Sequence, residues 1–121
     1  MALVLIVDDS PTEVHVMRGY LEKHGYRTEA ASDGTEGIDK ARRLKPDVVL
    51  MDVVMPGMNG FQATRELARD AETSSIPVVM VTTKGEETDK IWGMRQGAVD
   101  YLVKPVTDAQ LVEKVRAALA G

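Results

Sequence analysis

Three short, unbroken apolar stretches punctuate the chain: Leu3 to Val7, Val48 to Met51 and Val78 to Val81. A run with no polar face must be covered on both sides, which is the situation of a strand inside a parallel sheet. Two weaker candidates complete the set, Arg27 to Ala31 behind the breaker Gly25 and Tyr101 to Val103 ahead of Pro105. Helical start and stop chemistry lies between them. Ser10-Pro11-Thr12-Glu13 has the form of a capping box with proline at the first helical position, and Val14, Met17 and Leu21 then line one face. Thr107-Asp108-Ala109-Gln110 repeats the device before Leu111, Val115 and Leu119. Segments 35 to 45, 60 to 70 and 86 to 96 supply the other helices, the last closed by Gly97. Strand followed by helix, five times over, predicts an α/β fold: a doubly wound, five-stranded parallel sheet with helices on both faces.

Length and composition limit the functions such a fold can serve. The 121 residues make one domain, with no linker and no room for an output domain, and the start Met with a finished last helix suggests a whole protein. Cysteine is absent, which removes disulfides and thiolate metal sites. Net charge is -4 and the basic residues are scattered apart from Arg42-Arg43, so a nucleic-acid partner is not expected. The apolar N-terminus meets Asp8 after seven residues without a basic flank. That is too short for a signal peptide or a membrane span, so a cytoplasmic protein without membrane contact is expected; a monomer is expected as well. His15 and His24 have no acidic partners spaced for zinc, and the seven methionines read as core filling.

In open parallel sheets, ligands bind beyond the carboxyl ends of the strands. There the chain places Asp8-Asp9 after the first strand, Asp52 after the third, Thr82-Thr83 after the fourth and Lys104-Pro105 after the fifth. Each has an ordinary reading as a turn, cap or solvated residue; those separate readings do not explain why all fall on one rim. Neighbouring carboxylates repel by up to about 4 kcal/mol per pair at a surface-like dielectric. A hard cation relieves this, and Mg²⁺ suits a site with few carboxylates and room for phosphate oxygens. Phosphoryl transfer needs charge neutralisation around three equatorial oxygens, for which the metal, the Lys104 ammonium and the Thr82 hydroxyl are the candidates. Asp52, on the central strand, is the candidate nucleophile.

These residues resemble the receiver (CheY-like) domain of two-component response regulators along almost the whole chain. The match runs through Leu5-Ile6-Val7-Asp8-Asp9-Ser10, Pro46-Asp47, Met51 to Gly60, Pro77 to Thr83, Gly97-Ala98 and Tyr101-Leu102-Val103-Lys104-Pro105. The resemblance implies a flavodoxin-like sheet of order 2-1-3-4-5, Asp52 as phosphoacceptor from a histidine kinase, and Mg²⁺ as cofactor. It implies Asp9 and Asp52 as direct metal ligands, Asp8 acting through water, and the Val54 carbonyl as a further ligand. Thr82 and Tyr101 are similar to the family's switch pair, signalling through the fourth helix, fifth strand and fifth helix. Lys104 resembles its phosphate-contacting lysine, joined to Pro105 by a cis peptide. Residues 59 to 65 and 83 to 93 resemble the PilH-type receivers of the chemosensory system that controls type IV pili and twitching; the downstream target is not legible.

Two positions vary in the family and tune phosphoryl lifetime; here they are Val54 and Lys84. Val54 offers no hydrogen bond to an attacking water, so slow hydrolysis is expected, whereas Lys84 can act in either direction. Catalysis is expected to stop at the protein's own phosphorylation and dephosphorylation. The alternatives are a receiver fragment of a larger regulator and a Mg²⁺-dependent phosphatase of the haloacid-dehalogenase kind. The latter wants an acid two residues after its nucleophile, where Val54 stands.

Overall fold

In a computed structural model describing residues 1–121, the five apolar and half-apolar stretches become strands β1 (Leu3–Val7), β2 (Arg27–Ala31), β3 (Val48–Met51), β4 (Val78–Thr82) and β5 (Asp100–Val103). All pair in parallel, in the order β2-β1-β3-β4-β5. Helices α1 (Pro11–Lys23), α2 (Gly34–Leu44), α3 (Gly60–Arg69), α4 (Glu87–Gln96) and α5 (Asp108–Ala120) alternate with them. The predicted architecture and sheet order are observed. β4 runs one residue further than its apolar stretch, to Thr82, and β5 begins one residue earlier, at Asp100.

Side-chain alternation along the strands divides the core in two. Leu5, Val7, Val49, Met51 and Met80 face Ile38 and Ala41 of α2 and Ala63 and Leu67 of α3. Val4, Ile6, Val48, Leu50, Val79 and Val81 face Met17 and Leu21 of α1 and Leu111 and Val115 of α5. Full burial of such a side chain is worth about 1.5–3 kcal/mol, so the three central strands, covered on both faces, carry most of the stabilisation.

The ends of the helices follow local chemistry. Ser10 accepts from the Glu13 amide, but the reciprocal half of the expected box is missing, because Asp8 Oδ1 takes the Ser10 N–H at 2.9 Å. Thr107 and Gln110 form the complete box, as do Asn59 and Gln62 at the start of α3. Asp33 caps α2 through its side chain. Lys45 and Gly97 end their helices in the left-handed region. His24 meets Asp108 at 3.0 Å across the start of α5, beside the Lys23–Asp108 ion pair. No helix is long and apolar enough to cross a membrane.

Candidate functional site

The ladder that stiffens the centre of the sheet also fixes the backbone at its rim. The Asp8 amide donates to Ala31 O at 3.0 Å, the Asp52 amide to Val7 O at 2.9 Å, and the Lys104 amide to Thr82 O at 2.8 Å. Asp8 and Asp52 thus emerge from neighbouring strands with their backbones tied to them. Asp8 and Asp52 are 2% and 8% exposed, whereas Asp9 is open to water. One carboxylate oxygen from each of the three lies within 4.8 Å of the others.

Lys104 closes the cluster from just beyond the end of β5. Its Nζ is 2.7 Å from Asp8 Oδ2 and 3.5 Å from Asp52 Oδ2, and its side chain is almost fully covered. The Lys104-Pro105 peptide is cis, as the resemblance implied. Burial pushes the Asp52 carboxyl above its ordinary value; the Lys104 charge opposes that rise and the Asp8 charge adds to it. Burial works to lower the Lys104 ammonium, but its hydrogen bond to Asp8 and the charges of Asp52 and Asp8 hold it above the usual lysine value. The net picture is a lysine locked in its cationic form beside a carboxyl that gains from any additional positive charge.

Asp52 Oδ1 accepts from the Val53 amide at 2.7 Å. Thr82, fully buried at the end of β4, accepts weakly from the Lys84 N–H at 3.4 Å and stands close enough to Asp52 to favour its ionised form. Tyr101 lies apart from this group. Its hydroxyl donates to the Lys84 carbonyl at 2.7 Å, and burial, with Asp89 and Asp52, pushes its phenol up to about 12. Asp8, Asp9, Asp52, Thr82 and Lys104 are therefore gathered at one place, while the Tyr101 hydroxyl reaches the neighbouring loop. The Val54 side chain, 59% exposed, stands at the outer edge.

Two glycines that reading for chemistry passes over shape the backbone, one at the site and one beside Tyr101. A Cβ on Gly60 would stand 1.9 Å from the Asp52 carbonyl oxygen, so only glycine lets α3 start against the Asp52 backbone. A Cβ on Gly93 would meet Met80 Sδ at 2.9 Å and the Tyr101 ring at 3.0 Å. The Gly60 amide donates to Val53 O at 2.9 Å. Gly60 opens the helical segment expected over 60 to 70; nothing signalled Gly93, because its neighbours come from two other strands.

A strand-end acid cluster with a buried lysine, on a sheet of order β2-β1-β3-β4-β5, defines a phosphoacceptor signalling module. The chain belongs to the response regulator receiver domain family, whose model matches residues 4–116. It is 61% identical to "Protein PilH" of Pseudomonas aeruginosa over 121 residues, the full length of both. A putative response regulator from Chloroflexus aurantiacus superimposes with a TM-score of 0.95 at 32% identity, covering 99% of this chain and 98% of that one. The receiver domain of the sensor histidine kinase PA1611 from Pseudomonas aeruginosa, solved with a magnesium ion coordinated in its active-site cleft, gives a TM-score of 0.92 at 28% identity. It covers 99% of this chain and 98% of that one. Accepting a phosphoryl group is the general role of the family, and the chain is a homologue of PilH.

Proposed function

We propose that Asp52 accepts the phosphoryl group from the phosphohistidine of a histidine kinase, with Mg²⁺ held by Asp9 and Asp52, by Asp8 through water and by the Val54 carbonyl. The observation that carries this reading is the buried Asp52 set between the Lys104 ammonium and two further carboxylates. The donor set is all oxygen, and its 4.8 Å spread is close to the separation of about 4 Å between opposite ligands of Mg²⁺. Bound there, the ion would neutralise the acids and take up charge on a phosphoryl oxygen.

The chain's own groups do the rest. A carboxylate oxygen of Asp52 attacks phosphorus, the P–N bond breaks, and its electrons leave with the imidazole, which is protonated. Lys104 releases Asp8 and turns its ammonium to a second phosphoryl oxygen. The Thr82 hydroxyl donates to the third, and the space it vacates is open to the Tyr101 ring. The chain then signals through α4, β5 and α5, with binding partners sharing the roughly 5.5 kcal/mol that separates a mostly inactive from a mostly active population. The reading makes the protein a cytoplasmic, monomeric switch and not an enzyme with a released product. Its likeness to PilH supports a place in the control of pilus-based twitching.

Incubation with Mg²⁺ and acetyl phosphate should add one phosphoryl group, seen by mass, and change the emission of Trp92, the only tryptophan. Asp52→Asn should do neither; labelling of that variant, or an inert parent protein, would overturn the assignment. Val54→Asn should shorten the phosphoryl lifetime by giving an attacking water a hydrogen-bond partner, and a longer lifetime in that variant would refute the role given to Val54.

A further inference from the structure

The groove between α3 and α4 lies away from the acid cluster and carries chemistry of its own. Arg65 and Arg69 on α3 and Arg95 on α4 line it with Trp92, over a floor of Ala68 and Gly97, in a depression of about 440 Å³. The three arginines are exposed, and none takes part in an ion pair. Trp92 keeps 47% of its surface in water, so helix packing does not account for it. The floor is tight: a Cβ on Gly97, whose φ is +117°, would stand 2.8 Å from the Ala68 methyl. Small residues there leave a notch between the tryptophan and the arginines.

The groove has the make-up of a binding face. Arginine and tryptophan are the side chains that most often dominate protein interfaces. In a chain of net charge -4, three unpaired guanidinium groups along one groove run against the average and select an anionic partner. Glu66 borders a separate depression on the other side of Arg65 and Arg69, and the lining shared with α4 contains no acid. Arg65 and Arg69 are one helical turn apart, and acidic residues one turn apart on a second helix repeat that interval of about 6 Å.

We propose that the α3–α4 groove docks an acidic amphipathic helix of a partner protein. Two carboxylates one turn apart pair with Arg65 and Arg69, a third pairs with Arg95, and an apolar side chain between them packs on Trp92 over the Ala68 and Gly97 floor. This is helix-in-groove recognition, with arginine supplying planar, two-pronged contacts to carboxylates. A nucleic-acid strand is the poorer fit, since it would extend past the groove onto a negatively charged protein. The proposal does not depend on phosphate acceptance at Asp52.

The probe is a synthetic helix-forming peptide with glutamates at i, i+4 and i+7 and one leucine on the same face, titrated against the full chain while following Trp92 emission. A control peptide carries lysine at the glutamate positions. The acidic peptide should give a saturable change that weakens as salt is raised; the lysine peptide should give none. The double variant Arg65→Glu/Arg69→Glu should weaken binding by about tenfold or more, equivalent to at least about 1.4 kcal/mol. Arg95→Glu, on the other helix, should weaken it less. Unchanged circular dichroism and unchanged labelling by acetyl phosphate would show that both variants fold. Equal binding of the two peptides, no saturable change, or indifference to the double variant would overturn the proposal. So would tighter binding of a single-stranded oligonucleotide, or a dimer in sedimentation that the double variant dissolves, either of which would give the face to another occupant.

Discussion

The centre of the sheet and its α4–β5 side are built to different standards. β3 is buried at every position and β1 at all but its first, and both are enclosed by helices on two faces. β5 is half-buried for three residues and exposed at its fourth, and α4 buries only Gly93 while leaving Ile91, Trp92 and Met94 nearly half exposed. Three of the site's five groups sit on the first kind of structure, Asp8 and Asp9 behind β1 and Asp52 behind β3. Tyr101 and the helix beside it sit on the second. Under the proposed function this division is apt: groups that meet a phosphoryl group need a frame that does not yield, whereas a surface that reports the event must be cheap to move.

The comparison breaks first if the two sides prove equally rigid. Leu50→Ala, which opens a hole in a fully buried position of β3, should cost about 3–5 kcal/mol in urea unfolding. Ile91→Ala, on α4 at 45% exposure, should stay within about 0.5 kcal/mol of the parent. A cost for Ile91→Ala approaching that of Leu50→Ala would remove the distinction. Gly60→Ala is a sharper probe of the stiff side. The new methyl would meet the backbone of Asp52 and not a movable side chain, so a loss of about 3 kcal/mol is expected, with slower labelling by acetyl phosphate as Asp52 is displaced. A variant of parental stability would show that the rim gives way.

Gly93→Ala tests the yielding side. The methyl would press on Met80 Sδ and the Tyr101 ring, which are side chains and can move, and alanine gains about 1 kcal/mol of helix propensity over glycine. Net stability should therefore change by less than about 1 kcal/mol. The phenol, now held at about 12 by burial, should fall toward the ordinary tyrosine value as the ring turns into water. NMR titration of labelled tyrosine, with Tyr101→Phe as the blank, would read this. An unmoved titration would mean that α4 shifts as a body and that the ring is the fixed partner.

Much of this division was legible in the sequence, because it is written in local patterns. Unbroken apolar runs announced β1, β3 and β4, and the polar residues that follow them named the acid cluster and Lys104. The parts that were not legible depend on tertiary neighbours. Gly60 and Gly93 matter through atoms from other elements, and His24 finds Asp108 only because α1 packs beside α5. The half-formed cap at Ser10 has the same origin: Asp8, turned inward to Lys104 by one oxygen, uses the other to take the amide that Glu13 was expected to cap. The groove on α3 and α4 could not be read at all, since Arg65, Arg69, Trp92 and Arg95 share a face only after two helices are laid together.

The smallest expected difference between the two sides concerns charge. α2 is tied to α3 by Arg42 Nε at 2.5 Å from Asp70 Oδ2, and Asp70 also accepts from the Glu72 amide at 2.9 Å. The amide first, and then Arg42, hold the Asp70 carboxyl below its ordinary value of 3.8. A depressed carboxyl adds stability when ionised, so the contribution is complete above the unfolded value and disappears as pH falls through the lower folded one. Asp70→Asn keeps an oxygen for the amide but removes the charge; it should melt slightly below the parent at pH 7, and the two curves should converge as pH falls below the ordinary carboxylate range. On α4 the corresponding contact, Lys84 to Asp89, spans 4.0 Å between partly exposed groups. Asp89→Asn should leave the melting temperature unchanged at pH 7 and at low pH, and a penalty equal to that of Asp70→Asn would show α4 to be pinned as firmly as α2 and α3.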